Sequence, residues 1–466
     1  MHPRLAADLA RLPDLLDVTR RQATAFLDGL AERPVVQAVR APEPVPLPAS
    51  GAGLQAALQD FATRWEPGLS AGAGPRYLGF VTGGVTPAAL AGDWLTAAVD
   101  QNPTSSLDAA GQQVEEEAIG WLRDLFGLSA GHQGTFVSGA TMSNTVGLAI
   151  AREWLGEQLG VSPAEDGVGA LGTVRVLSGS PHSSVVKGLS VLGLGRTALV
   201  PVPTLPDREA VDPAALERAL READGPCVVV ANAGTVNTVD FDDLRAIAAL
   251  RDRYGFWLHV DAAFGAFAAL SPAHAHLVDG LDLADSLCVD LHKWLNVPYD
   301  SAVQFTRRRD LQARVFQNAA AYLGPLGDTP DPVHLTPENS RRLRALAAWF
   351  TLRAYGREGY REIVERCVAC AHTLGEAVGA LDGLRLLAPV RLSVVCFTLA
   401  DAPTTERLAA LAGRLADEVF LTPTVYAGVP ALRAAFSNWR TTEEDTQLII
   451  RALERAVRDL PEPSSR

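Results

Sequence analysis

The least used basic residue in this chain is also the one with the most distinctive chemistry. Of its 41 lysines and arginines only two are lysine, Lys187 and Lys293. An arginine keeps its proton inside a protein, whereas a desolvated lysine becomes a free amine that attacks carbonyls. Lys293 stands in Val289-Asp290-Leu291-His292-Lys293-Trp294-Leu295-Asn296. Four other stretches carry residues with usable chemistry. Ser138-Gly139-Ala140-Thr141 is a small-residue turn before a helical pattern, where backbone amides and the Thr141 hydroxyl are good phosphate ligands, although helix capping accounts for it equally well. Leu258-His259-Val260-Asp261-Ala262-Ala263 offers a carboxylate flanked by alanines that permit close approach, a fitting partner for a buried heteroaromatic cation or a simple helix cap. Pro181-His182-Ser183-Ser184 supplies a ring that either stacks on a ligand or packs in the core, and Gly234-Thr235 supplies another turn with a hydroxyl.

The elements around these stretches put them in one place. Short β-rich runs at 134–137, 174–177, 198–202, 227–231, 256–260, 286–289 and 302–305 alternate with helical patterns, the signature of a largely parallel sheet covered on both faces. In such sheets ligands bind beyond the carboxyl ends of the strands. The stretches 138–141, 181–184, 234–235 and 261–263, and Lys293 itself, each follow one of those runs. One sheet edge thus offers a phosphate cradle, a stacking ring, a carboxylate and an amine, and together these describe a site for pyridoxal 5'-phosphate. No cluster of Cys and His has metal-ligand spacing. Cys367-Val-Ala-Cys370 sits inside a helical pattern without a second pair, so no metal is expected.

The rest of the chain divides around this block. Residues 5–40 repeat apolar positions at helical spacing (Leu9, Leu15, Leu16, Phe26, Leu30) and end in a linker with Pro42, Pro44, Pro46 and Pro48. A helix over 53–65 and an aromatic, Gly-rich loop containing Tyr77, Phe80, Gly83 and Gly84 follow. The helix over 111–126 carries Glu115, Glu116 and Glu117, expected to form a charged surface. Residues 319–340 make a Pro- and Gly-rich loop long enough to suggest function. Helices over 340–355, 359–381 and 404–420 and strands near 391–399 and 431–437 complete the chain. The expected organisation is an N-terminal helical arm (1–84), a large α/β domain with a seven-stranded, mostly parallel sheet (85–355) and a small C-terminal α+β domain (356–466).

Composition excludes several classes. A net charge of −13 argues against nucleic acid as the main partner. With 48% hydrophobic and 20% charged residues the chain is too apolar for disorder. No uncharged stretch is long enough to span a bilayer, and the N-terminus lacks the apolar run of a signal peptide, so a cytoplasmic protein without membrane contact is expected. Five cysteines, odd in number and thinly spread, do not form a disulfide framework.

From about Pro75 to the Asn438-Trp439-Arg440-Thr441-Thr442-Glu443-Glu444-Asp445 stretch, the chain resembles the group II pyridoxal-phosphate-dependent amino acid decarboxylases, the family of aromatic-L-amino-acid and glutamate decarboxylases on the fold-type-I, aspartate-aminotransferase-like scaffold. The specific pieces are Leu258-His259-Val260-Asp261-Ala262-Ala263, Pro181-His182-Ser183-Ser184 and His292-Lys293-Trp294. The resemblance implies that Lys293 holds the cofactor as a Schiff base, Asp261 keeps its ring nitrogen protonated, and His182 and Ala263 lie on opposite ring faces. It further implies that Ala140, Thr141 and Thr235 hold the phosphate and that His292 sits beside the lysine linkage. Tyr322, 29 residues beyond Lys293 (322 minus 293), matches a family tyrosine that protonates Cα from a closing loop.

Further implications are a homodimer with the active site at the subunit boundary, the N-terminal helices forming an intertwined arm, and a substrate pocket including Tyr77, Phe80 and Thr82. Aromatic lining favours an aromatic or imidazole substrate over glutamate. One departure stands out, because many members have Asn-Pro-His-Lys where this chain has Asp290-Leu291-His292-Lys293. A carboxylate near a phosphate is unfavourable unless it pairs or points away. Three activities remain open at this stage: decarboxylation of an L-amino acid to an amine and carbon dioxide, aldehyde-forming oxidative deamination or carbon–carbon lysis on the same scaffold, and a non-catalytic homologue. The presence of both Tyr322 and His182 favours the first.

Overall fold

The structure is a computed structural model that describes residues 1–37, 42–104, 110–223, 225–318 and 330–461. Its centre is a seven-stranded sheet of β1 (Gln133–Val137), β2 (Val176–Ser178), β3 (Leu199–Pro201), β4 (Cys227–Asn232), β5 (Phe256–Asp261), β6 (Ser286–Asp290) and β7 (Ala302–Thr306), ordered β1-β7-β6-β5-β4-β2-β3. All seven runs expected from the sequence are strands. Only β7 runs against its neighbours, pairing antiparallel with both β1 and β6. The other strands therefore point their carboxyl ends to one edge.

Burial on both faces explains why β4 and β5 are mostly apolar, with His259 and Asp261 the polar exceptions on β5. Side-chain alternation divides them: Val229 and Ala231 of β4 and Leu258 and Val260 of β5 join one core, while Val228, Val230 and Trp257 join the other. On β5 the second set continues as Trp257, His259 and Asp261, so these three side chains share the face covered by the helix Ala140–Leu159.

A second, four-stranded antiparallel sheet comprises β8 (Leu384–Leu386), β9 (Val394–Leu399), β10 (Thr422–Tyr426) and β11 (Val429–Ala435), in the order β10-β11-β9-β8. Sequence reading found β9 and β11 and missed the other two. β8 spans three residues, and β10 is half exposed, with a prolyl residue inside it. The helix expected over 404–420 ends at Leu415, because residues 419–421 turn back to bond the loop before the large domain. Leu78 N donates to Phe420 O at 3.0 Å and Phe420 N to Arg76 O at 3.2 Å.

The long helical segment Ala345–Ala380 breaks at Gly356 (φ 58°, ψ −167°), a conformation that L side chains rarely adopt. The acidic cluster on the helix Gly111–Leu125 is not simply a charged surface. Glu115 is buried and paired with both terminal nitrogens of buried Arg341 at 2.6 and 2.7 Å, and Glu117 accepts from Trp349 Nε1 at 2.6 Å. An (i, i+1, i+2) run of acids cannot share one helix face, so one of the three had to meet a neighbour. Among the described residues no helix is long and apolar enough to cross a membrane.

Candidate active site

Beyond the carboxyl ends of the parallel strands lies a cavity of about 490 Å³, within the size range of small-molecule sites. Ala140, Thr141, His182, Thr235, Asp261, Ala263, His292 and Lys293 all line it. Tyr322 lies outside the described residues. The helix Ala140–Leu159 begins at the cavity with Gly139 as N-cap, and no side chain caps it. Its opening residues Ala140, Thr141 and Met142 line the space, so the partial positive charge of the helix start faces the cavity.

Asp261 is the last residue of β5 and is buried. Its Oδ2 accepts from Asn144 Nδ2 at 2.8 Å and its Oδ1 from Ala263 N at 3.2 Å. His182 caps the helix Ser183–Val191, its Nδ1 accepting from Ser184 N at 3.2 Å and lying 2.8 Å from Ser184 Oγ. Burial on its protein side pushes the His182 imidazole below its ordinary value, with Asp261 opposing that shift.

Lys293 follows β6 on the short helix Leu291–Trp294. Its Nζ stands 5.4 Å above the centre of the Phe264 ring and 3.5 Å from Asp290 Oδ2. Asp290 also brings Oδ1 to 3.1 Å from His292 Nδ1. That contact is close enough for charge pairing with a protonated ring, but its angle makes no hydrogen bond, and both atoms lack another partner. The acidic residue that departs from the Asn-Pro-His-Lys pattern is therefore paired with the lysine. The His292 ring lies 4.4 Å from that of Tyr299.

Thr235 lines the cavity with both donors turned inward: its hydroxyl donates to Glu209 Oε2 at 2.5 Å and its amide to Asp240 O at 2.9 Å. Arg433 of β11 is a cavity residue that sequence reading passed over. It is buried, donates to Phe80 O at 3.1 Å and to Val236 O, and among the described residues it forms no ion pair with a carboxylate and its Nε finds no partner. Burial lowers its pKa. Of the loop 77–82, Phe80 and Val81 reach the cavity.

An uncapped helix start, a fixed carboxylate at a strand end, a ring beside it and an amine opposite fit the phosphate, pyridine nitrogen, ring face and aldehyde of pyridoxal phosphate. The protein family described as "Pyridoxal-dependent decarboxylase conserved domain" matches residues 37–400. The chain belongs to the pyridoxal-dependent decarboxylase family. It is thus an enzyme of a family of carboxy-lyases that use pyridoxal 5'-phosphate as cofactor.

Among the relatives, the L-2,4-diaminobutyrate decarboxylase of Acinetobacter baumannii is 31% identical over 69% of this chain and 65% of its own length. The aromatic-L-amino-acid decarboxylase of Bacillus atrophaeus is 27% identical over 80% of this chain and 78% of its own. In fold, the chain superposes on the Oryza sativa TDC structure holding PLP and tryptamine with a TM-score of 0.89, covering 98% of this chain and 99% of that one at 23% identity.

Proposed function

We propose that the protein removes the α-carboxyl group of an L-amino acid, releasing the amine and carbon dioxide, with an aromatic or imidazole side chain preferred. The observation that carries this reading is the convergence of Lys293, Asp261, His182 and the start of the helix Ala140–Leu159 on one cavity that also holds Arg433. Bound pyridoxal phosphate supplies the electron sink for the bond broken at Cα. Asp261, an acceptor on both oxygens, holds a proton on the ring nitrogen and so keeps the ring cationic. Lys293 Nζ would be the amine that holds the cofactor, and the amides of Ala140 and Thr141 would hold its phosphate. Thr235 adds contact surface only, since its donors are engaged by Glu209 and Asp240.

His182 and Ala263 would confine the ring from its two faces, and His292 flanks the lysine. Arg433, without an ion-pair partner among the described residues, receives an anionic group of the substrate. Phe80 and Tyr299, both well exposed at the cavity, support the preference for a flat side chain. Tyr322 is assigned the delivery of a proton to Cα on the resemblance alone. The working unit in this proposal is a homodimer with the site at the subunit boundary, built from an arm (1–84), a large domain (85–355) and a small domain (356–466).

The test is a screen of carbon dioxide release over the twenty amino acids plus DOPA, 5-hydroxytryptophan, 2,4-diaminobutyrate and cysteine sulfinate, with amine and aldehyde both quantified. Equimolar amine and carbon dioxide from an aromatic or imidazole substrate is expected. Aldehyde with peroxide and no amine would replace the reading by oxidative deamination, and turnover confined to diaminobutyrate or cysteine sulfinate would overturn the substrate preference.

A further inference from the structure

Behind the cavity, and touching it nowhere, five buried polar side chains run in series. Trp257 Nε1 donates to Ser286 Oγ at 2.9 Å. Ser286 Oγ lies 2.8 Å from His259 Nδ1, and His259 Nε2 lies 2.9 Å from Asn144 Oδ1. Asn144 Nδ2 then divides, reaching Asp261 Oδ2 at 2.8 Å and Ser184 Oγ at 2.9 Å, and Ser184 Oγ ends on His182 Nδ1 at 2.8 Å.

The donor and acceptor capacities of these groups leave one consistent placement of hydrogens. An indole N–H only donates, so Ser286 accepts from Trp257. A carboxylate only accepts, so the Asn144 amide must turn its NH₂ to Asp261; reversing it would set a carbonyl oxygen against an anion. With Asn144 Oδ1 thereby facing His259, the imidazole must carry its hydrogen on Nε2, and Ser286 must give its own to Nδ1. His259 holds no second proton, since burial pushes its pKa down to about 4. At the other branch Ser184 accepts from Asn144 and donates to His182 Nδ1. The backbone amide of Ser184 aims at the same atom, which therefore carries no hydrogen. His182 is left with its N–H on Nε2.

The backbone provides for this series in two ways. Trp257, His259 and Asp261 project from one face of β5 by strand alternation. On the covering helix, Gly147 stands where a Cβ would fall 2.5 Å from His259 Cε1 and 2.7 Å from Nδ1, so only glycine leaves room for the ring.

Resting on the function proposed above, we infer that Trp257, Ser286, His259 and Asn144 are positioning residues: they form a one-directional hydrogen-bond relay that holds Asp261 as a fixed acceptor for the cofactor's ring nitrogen and fixes His182 as a hydrogen-bond donor through Nε2. The polar groups are fully satisfied at low dielectric, where such a series is stiff and a missing member is costly. His182 consequently offers the cavity a donor, suited to an anionic substrate group beside Arg433, and never an acceptor.

The test uses the full chain labelled with ¹⁵N-histidine, before and after loading with pyridoxal phosphate, with the His182 and His259 signals assigned from His182→Gln and His259→Gln spectra. At neutral pH both rings of the wild-type protein should show an N–H at Nε2 and a bare Nδ1. Asn144→Leu, close in size but without donor or acceptor, should give a mixed His259 tautomer and loosen pyridoxal phosphate by about tenfold or more, while borohydride still fixes the saturating cofactor to Lys293. A wild-type His182 with its hydrogen on Nδ1, or an Asn144→Leu protein with unchanged cofactor affinity, would overturn the inference while leaving the proposed function intact. Should Asn144→Leu fail to fold, the wild-type tautomers decide alone. Wild-type protein that borohydride cannot link to the cofactor at Lys293 refutes the proposed function, and this inference with it.

Discussion

At the scale of single residues the candidate site was legible to unequal degrees, and the reason lies in how rare each signal is. Lys293 stood out because lysine is almost absent from the chain, and Asp261 and His182 because they follow strand-like runs. Arg433 was hidden by the abundance of arginine, and its burial and the lack of an ion-pair partner among the described residues reveal it. Asn144 lies inside a helical pattern that gives it no signal of its own, and the direction of its amide needs Asp261 and His259 in view. The assigned roles predict distinct losses. Lys293→Ala should abolish turnover and covalent fixation by borohydride while pyridoxal phosphate still binds reversibly, which absorbance and dialysis measure together. Arg433→Met should lower kcat/KM by about a hundredfold or more, as expected when one partner of a buried charge pair is removed. The same kcat/KM for Arg433→Met and wild type would remove Arg433 from substrate binding. Tyr322→Phe should cut amine formation by about a hundredfold or more, the usual contribution of a placed general acid; full amine yield would end that assignment.

Among the elements, the central strands of the large sheet were readable because burial on both faces leaves them mostly apolar, whereas β8 spans three residues and β10 is half exposed, and neither carries much pattern. The turn after Lys293 depends on contacts no local pattern encodes. Asn296 closes it in a left-handed conformation (φ 56°), donates through Nδ2 to Ser437 O at 3.0 Å and Lys293 O at 3.3 Å, and accepts from Trp439 N at 2.7 Å. One side chain thus ties the lysine turn to the strand end of the small sheet. Asparagine tolerates this backbone region better than most residues. Both Asn296→Ala and Asn296→Gly lose the three bonds, but only alanine also carries the left-handed penalty of about 1–2 kcal/mol. Chemical denaturation should therefore rank wild type above Gly, and Gly above Ala by about 1 kcal/mol. Equal stability of the two variants would show that the turn relaxes to another conformation.

For the whole molecule, acid stability follows from the buried relay. The folded-state pKa of His259 is pushed down to about 4 by burial, below the ordinary value near 6.5. Between those two values the unfolded chain binds a proton that the folded one refuses. The contribution is complete above about pH 6.5 and is lost as pH falls towards 4, amounting to at most about 3 kcal/mol. Buried Asp242, pushed up to about 6, acts with the opposite sign over part of that range, so the measurement to make is the difference in unfolding free energy between wild type and His259→Gln across pH 4 to 7. That difference should shrink on acidification; a pH-independent difference would mean that the imidazole is accommodated in its charged form.

The N-terminal arm raises the remaining question of assembly. Its helices Pro3–Ala10 and Leu12–Asp28 expose Leu5 (63%), Leu9 (59%), Leu12 (41%) and Leu16 (56%), and beside them Phe26, Leu27, Phe61, Leu90 and Trp94 line an apolar groove of about 330 Å³. Leucines recurring at helical spacing on a solvent face mark an interaction surface, and the proposed dimer would cover it. Phe80 supports the same boundary: it is 57% exposed in a left-handed conformation (φ 57°), with Arg433 holding its carbonyl at the cavity. Light scattering should then give twice the 49.4 kDa chain mass. If each buried leucine contributes about 2 kcal/mol, replacing Leu5, Leu9 and Leu16 together by aspartate should weaken the dimer by about four orders of magnitude or more and reduce kcat in step with dissociation. A triple variant that stays dimeric would place the interface elsewhere on the molecule, and one that becomes monomeric with full kcat would confine the active site to a single subunit.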